Sequence, residues 1–394
     1  MSGRRERGAA GGARDGAAGA RAGGERDGAA PLRRGWTTGA CATAATKAAY
    51  AALLTGVFPD PVAIALPGGQ EPAFALACER LDDGAATAGV VKDAGDDPDV
   101  THGALVVATV RRSGEAGSGV VFAAGRGVGT VTLPGLQLPV GEPAINPVPR
   151  RLMRAVVAEL AAAHGDPGDV VVTIGVEGGE ELAKQTWNPR LGIVGGLSIL
   201  GTTGVVVPYS CSAWIASIRH GIDVARATGQ PHAIAATGDT SERAAQRRYG
   251  LPGAALLDMG DFAGATLKHL ARNPLPQLTL AGGFAKLSKL AAGHLDLHSG
   301  RSQVDLERLA AWAREAGGDD ALAAAIRSAN TALHALQLAR AADVPLAQRV
   351  AERALAVVRE LLGSAPVEAE VLVVDREGAI AGHAGRLSRA RPLE

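Results

Sequence analysis

Apolar and polar positions along this chain first form a helix and then a series of short strands. The run 42–54 is Ala-rich and apolar over a helical length, and Thr37-Thr38-Gly39-Ala40-Cys41 before it supplies a threonine cap. Short apolar runs follow at 62–66, 74–78, 104–110, 119–122 and 128–133, separated by Gly, Pro and Asp turns at hairpin-like distances. This spacing predicts a largely antiparallel sheet. A Pro-rich stretch, 138–149, reads as a rigid strap that enters a helix over 150–163, with Pro149 as the start signal.

From Asp169 the pattern changes. Continuous apolar runs at 170–176, 233–236, 254–257 and 278–280 alternate with helix-length segments, as the buried parallel strands of a doubly wound α/β sheet do. The turns 237–241, 258–261 and 281–283 lie just after the last three runs, where such sheets bind ligands, so Gly238, Asp239, Gly282 and Gly283 form the expected cofactor rim. Plain turn geometry is the competing reading, because no G-x-G-x-x-G is present. The stretch 304–363 is amphipathic helix and 367–385 a closing hairpin. The expected division is therefore a disordered tail over 1–30, an N-terminal α+β domain with a largely antiparallel sheet over 31–165, a Rossmann-like α/β domain packed on it over 166–310, and C-terminal helices with a β-hairpin over 311–394.

Composition narrows the function classes. A chain of 394 residues with 47% hydrophobic content buries a large core and divides into about two domains. Lys plus Arg and Asp plus Glu balance at 40 each. The first thirty residues hold six arginines and four acids, so the rest carries about minus two and offers no basic excess for nucleic acid. Three widely spaced cysteines, Cys41, Cys78 and Cys211, argue against a disulfide framework and for a reducing cytoplasm. The tail lacks the apolar segment of an export signal, and no run of 18 apolar residues suggests a membrane span.

The densest chemistry lies in 92–103, where Asp93, Asp96, Asp97 and Asp99 accompany Lys92 and His102 between two strand-like runs, 88–91 and 104–110. A solvated acidic turn is the plain alternative, and the acids lack the alternation of a calcium loop. The helix start at Thr37 and Thr38 offers free backbone N–H groups to an anion, or else its small residues serve close packing. Cys41 reads better as a buried thiol than as a nucleophile. Five glycines in 188–204, around Thr202 and Thr203, imply close backbone approach to a ligand or strand, and Arg190 could grip a carboxylate with its planar fork. His294 and His298 make half a zinc site without a third ligand at a readable spacing.

The segment 92–103 (KDAGDDPDVTHG) resembles the signature of the cobalt-precorrin-5B C(1)-methyltransferase family, the CbiD family. So do 32–47 (LRRGWTTGACATAATK), 125–151 (GRGVGTVTLPGLQLPVGEPAINPVPRR), 180–204 (EELAKQTWNPRLGIVGGLSILGTTG) and 282–293 (GGFAKLSKLAAG). Trp36, Ala285 and Leu297 depart from the usual Tyr, Gly and Thr. The resemblance implies S-adenosylmethionine as methyl donor, a tetrapyrrole substrate that carries its own cobalt, no protein metal ligands, and methylation at C1 on the anaerobic-type route to cobalamin. On that reading Asp93, Asp97 and His102 are the catalytic candidates that manage protons or donor charge. Thr37, Thr38, Arg190, Thr202 and Thr203 would bind the macrocycle, while Gly238, Asp239, Gly282 and Gly283 would bind the donor. Two other readings stay open: a non-catalytic corrinoid carrier, and a Mg-dependent phosphoryl-transfer enzyme using 93–99, which lacks a phosphate-cradling loop. The sequence leaves room for a homo-oligomer.

Overall fold

The computed structural model describes residues 31–388. The tail expected over 1–30 lies outside them. The described chain is a mixed α/β protein with two five-stranded sheets.

The first sheet has the order 78–82, 85–91, 105–112, 170–176, 120–124. All its neighbours are antiparallel except Val170–Val176 and Val120–Ala124, which run parallel. The helices Thr38–Thr55 and Pro147–His164 pack against it. Thirteen residues of the first helix are buried, and apart from Tyr50 all are alanine, glycine, threonine or cysteine. Side chains this small let the helix axis approach strands whose inward positions are Ala86, Ala88, Val106, Ala108 and Val110. Thr37 caps the helix, its Oγ1 accepting from Ala40 N at 3.2 Å, and Gly56 ends it in the left-handed region at φ 81°.

The expected boundary near residue 165 is not where the chain divides. The strand Val170–Val176 joins the first sheet, pairing antiparallel with Leu105–Arg112. Its apolar run reads as a buried parallel strand of the doubly wound sheet, whereas its one parallel neighbour is Val120–Ala124, in the first sheet. The glycine-rich stretch after it also stays with the first unit, through short pairings of Ile193–Val194 with Thr130–Val131 and Gly196–Leu197 with Gly127–Val128.

The second sheet has the order 256–258, 232–236, 277–283, 368–374, 380–384. The first four strands are parallel, and Ile380–Ala384 closes the edge antiparallel. The hairpin expected over 367–385 therefore exists, but it is not separate: Glu368–Val374 continues the parallel sheet beside Gln277–Gly283. Helices 211–227, 263–272, 284–291 and 346–362 share one buried cluster with this sheet. Helix 239–249 packs with Ile234, Ala281, Leu372 and Val374 in another.

Inside the second sheet, near the amino ends of its strands, lies a polar network. Glu370 is 2% exposed and accepts from Thr279 Oγ1 at 2.7 Å and from the Tyr249 hydroxyl. His232 Nε2 sits 2.8 Å from Thr279 Oγ1, and His383 Nε2 lies 3.0 Å from the other oxygen of Glu370. Because Thr279 donates to Glu370, it accepts from His232, which fixes the proton on Nε2 of that ring. Burial lowers the pKa of His232 below its ordinary value.

Candidate functional site

Two regions gather the candidate residues. The first is where the acidic loop, the capped helix and the glycine-rich stretch meet. Trp36 N donates to Asp93 O at 2.7 Å, Thr37 N to Gly204 O at 2.9 Å and Gly39 N to Leu200 O at 2.8 Å. Gly39 is glycine for a steric reason: a Cβ there would fall 2.7 Å from Pro149 Cγ and 2.9 Å from Leu200 O. The helix start is thus closed by the 200–204 backbone, and its Gly39 and Ala40 N–H groups are spent inside the protein. Thr202 and Thr203 are exposed, and Thr203 Oγ1 turns back on Val205.

The four acids of the loop do not converge. Asp93 pairs in bidentate fashion with Arg33 and accepts from Gly95 N, and this holds its pKa near 2, first through the Arg33 hydrogen bond. Asp96 accepts from Arg33 N at 2.6 Å. Asp97 accepts from Tyr209 N at 2.8 Å, across 112 residues of sequence. Asp99 binds the buried Lys92 together with Thr101. His102 accepts from Ala94 N through Nδ1 at 3.1 Å, so in its neutral form the proton sits on Nε2 and that edge donates.

This arrangement revises the chemistry expected of the loop. A carboxylate as strongly ionised as Asp93 is a poor proton acceptor near neutrality, and its structural partner Arg33 carried no signal beyond its place in the 32–47 block. The sign of its pH dependence follows. Asp93 is depressed from 3.8 to about 2, so its pairing stabilises the protein above pH 3.8 and is lost as pH falls toward 2. The difference in thermal midpoint between the unmodified protein and Asp93→Asn should therefore shrink across pH 4 to 2. A constant difference would mean the pair is screened to nothing at this half-exposed position.

The second region is the carboxyl rim of the second sheet. The turns after 232–236, 256–258 and 277–283 converge there, because Ala236 stands in register with Asp258 on one side and Ala281 on the other. A Cβ on Gly238 or Gly283 would meet nothing within 4 Å, so both expose open backbone. Gly282 differs: a Cβ there would lie 2.9 Å from Thr237 Cγ2 and 3.0 Å from Leu287, so packing against these side chains already accounts for a glycine there. Asp239 is exposed and pairs with Arg243. Lys286 reaches back to Thr237 O at 2.7 Å and to Asp261 at 3.1 Å.

Arg190 belongs to this rim and not to the acidic loop. Both arms of its guanidinium bind Glu242, each at 2.7 Å, and its carbon lies 4.8 Å from the Trp187 ring centre. The fork expected to take a substrate carboxylate is already filled by a side chain of helix 239–249, which ties the first unit to the second. Nothing in the local sequence of Asn188-Pro189-Arg190 distinguishes a distant internal carboxylate from a ligand's.

Between the two regions runs 205–214. Tyr209 takes a left-handed backbone at φ 57° while donating to Asp97. Trp214 donates from Nε1 to Asp258 O at 3.1 Å and packs at 6.2 Å from Phe262. Leu200, Val207, Tyr209 and Trp214 are each 44–48% exposed, large apolar side chains in or just before the stretch that touches Asp97 at Tyr209 and Asp258 at Trp214. Sequence reasoning passed over this stretch, although its Val-Val-Val-Pro-Tyr run has the signature of an apolar surface.

Comparison with known proteins decides the kinship. The CbiD family model matches residues 25–208 and the model of the CbiD C-terminal domain matches 296–385. A cobalt-precorrin-5B C(1)-methyltransferase of Paramagnetospirillum magneticum is 62% identical over 89% of this chain and 98% of its own length. The chain belongs to the CbiD family. Its relatives of the same description in Brucella anthropi and Rhodospirillum rubrum are 61% and 60% identical, over 88% and 89% of this chain and 94% and 97% of theirs. A CbiD crystal structure from Archaeoglobus fulgidus is similar at 28% identity, covering 68% of this chain and 83% of that one, with a TM-score of 0.38. The family models meet the architecture sensibly, since the first ends at 208, just before helix 211–227 opens the second unit.

Proposed function

We propose that this protein methylates cobalt-precorrin-5B at C1 with S-adenosylmethionine, giving cobalt-precorrin-6A in anaerobic-type cobalamin biosynthesis. The carrying observation is the 62% identity over nearly the whole length of a methyltransferase of that description. We read the second unit as Rossmann-like, because four parallel strands in the order 256–258, 232–236, 277–283, 368–374 reverse direction of growth on either side of 232–236. In such sheets the crevice at that reversal takes the ligand. The open backbones of Gly238 and Gly283 border it and fit the donor.

Bound there, S-adenosylmethionine supplies an electrophilic methyl group. The chain's own residues have little covalent work and act by orientation and by excluding water. Leu200, Val207, Tyr209 and Trp214 offer the apolar face against which a macrocycle would lie, between the rim and the acidic loop. Asp97 holds the Tyr209 backbone in place from the loop side. Asp93 fixes the loop through Arg33, and His102 presents an N–H donor at its exposed edge. The cobalt comes with the substrate. Free thiols at Cys41, Cys78 and Cys211 suit a reducing cytoplasm. Among the described residues no helix is long and apolar enough to cross a membrane.

The phosphoryl-transfer alternative asks the acids of 93–99 to share a metal ion, whereas they turn to Arg33, Tyr209 and Lys92 separately. Incubation with methyl-labelled S-adenosylmethionine and cobalt-precorrin-5B should move label into the tetrapyrrole at a rate proportional to enzyme. Tetrapyrrole binding without transfer would leave a carrier, and neither binding nor transfer would remove the reading.

A further inference from the structure

At one end of the carboxyl rim, beside 232–236, stands Asp258, the last residue of strand Leu256–Asp258, in a cavity it shares with Trp187, Arg190 and Ser217. Residues 232–258 form one strand–helix–strand unit whose two strands lie parallel and adjacent, with Ala236 opposite Asp258. Asp258 thus stands twenty residues after Gly238, at the carboxyl end of the neighbouring strand, on the side away from 277–283. An acid at this place in a nucleotide-binding sheet is positioned for ribose hydroxyls.

The local bonding leaves Asp258 available. The other acids of the rim are each committed to a cation: Asp239 to Arg243, Glu242 to Arg190 and Asp261 to Lys286. Asp258 forms no ion pair among the described residues, and its carboxylate takes one hydrogen bond, at Oδ1 from Gly260 N at 3.1 Å. Trp214 pins the strand end through the Asp258 carbonyl, leaving the side chain untouched. Burial, more than any neighbour, raises its pKa above the ordinary carboxylate value. A half-buried acceptor with an oxygen to spare gains from two neighbouring hydroxyl donors.

We propose that Asp258 accepts the ribose hydroxyls of the adenosyl group and is a donor-binding residue of this enzyme. The proposal rests on the donor reading above. Calorimetric titration of the full chain with S-adenosylhomocysteine and with its 2′-deoxyribose counterpart separates the two. The unmodified protein should bind the parent compound roughly 10- to 100-fold more tightly than the deoxy compound. Asp258→Ala should bind both at the weaker level, having lost the discrimination. Asp258→Leu, which keeps roughly the size of the side chain and has no acceptor, replaces it if alanine unfolds the strand end. A variant that discriminates as well as the unmodified protein overturns the proposal alone. Unmodified protein that binds both compounds equally also overturns it, and unmodified protein that binds neither removes the donor reading and the proposal together.

Discussion

Glu370→Leu is expected to lower stability by about 2–6 kcal/mol, because it strands two buried hydroxyls that each cost about 1–3 kcal/mol when unsatisfied. Thr279 is fully buried and Tyr249 nearly so, and both spend their proton on Glu370. Glu370→Gln keeps an acceptor oxygen and should cost about 1 kcal/mol. Urea denaturation at neutral pH measures both, and equal losses for leucine and glutamine would show that the network contributes nothing beyond side-chain volume. The same network gives a pH dependence. His232 is held below its ordinary pKa of 6.5 by burial, so the folded state prefers it neutral. Its contribution is whole above pH 6.5 and is lost as pH falls through the lowered folded value. The second unit should therefore weaken on mild acidification, before the carboxylates of the first unit are protonated.

The three rim glycines should separate ligand contact from folding. Gly238→Val and Gly283→Val place a side chain where the protein has open space, and neither backbone is in the left-handed region, with φ 164° and −67°. Each should leave urea stability nearly unchanged while weakening S-adenosylmethionine by about 1–3 kcal/mol, the usual cost of overfilling a packed site, or about 5- to 150-fold in Kd. Gly282→Ala should do the reverse. Its added methyl presses on Thr237 and Leu287, costing about 1–3 kcal/mol of stability whether or not donor is present. Donor affinity unchanged in both valine variants would move the donor site elsewhere.

What the sequence disclosed, and what it withheld, follows from the range of each signal. The capped helix, the hairpin strands, the strap helix and the three rim turns were legible because caps, turns and periodicity act within a few residues. The run 170–176 was recognisable as a strand, yet its sheet was not, because an apolar run does not name its neighbours. The same limit hid the pairing of 368–374 with 277–283. Arg190 shows it at the scale of one side chain, since a planar fork suits a substrate carboxylate and Glu242 equally. The acidic loop was noticed for its charge, but its charges proved to be anchors for Arg33, Tyr209 and Lys92, which lie 60, 112 and 7 residues away in sequence.

The parallel pairing of 277–283 with 368–374 also sets an order of events during synthesis. Domains fold as units as the chain emerges, the earlier segments first. The first unit has all its strands once residue 176 and the short pairings up to 206 have left the ribosome. The second cannot close its sheet until the strand Glu368–Val374 arrives, each of whose residues lies 91 positions beyond its partner in 277–283. In the interval the edge of 277–283 is an open template carrying a row of unpaired N–H and C=O groups, flanked by Leu278, Leu280 and Ala281. Overproduction without matching chaperone capacity should thus yield insoluble protein whose first unit is native and whose second is not.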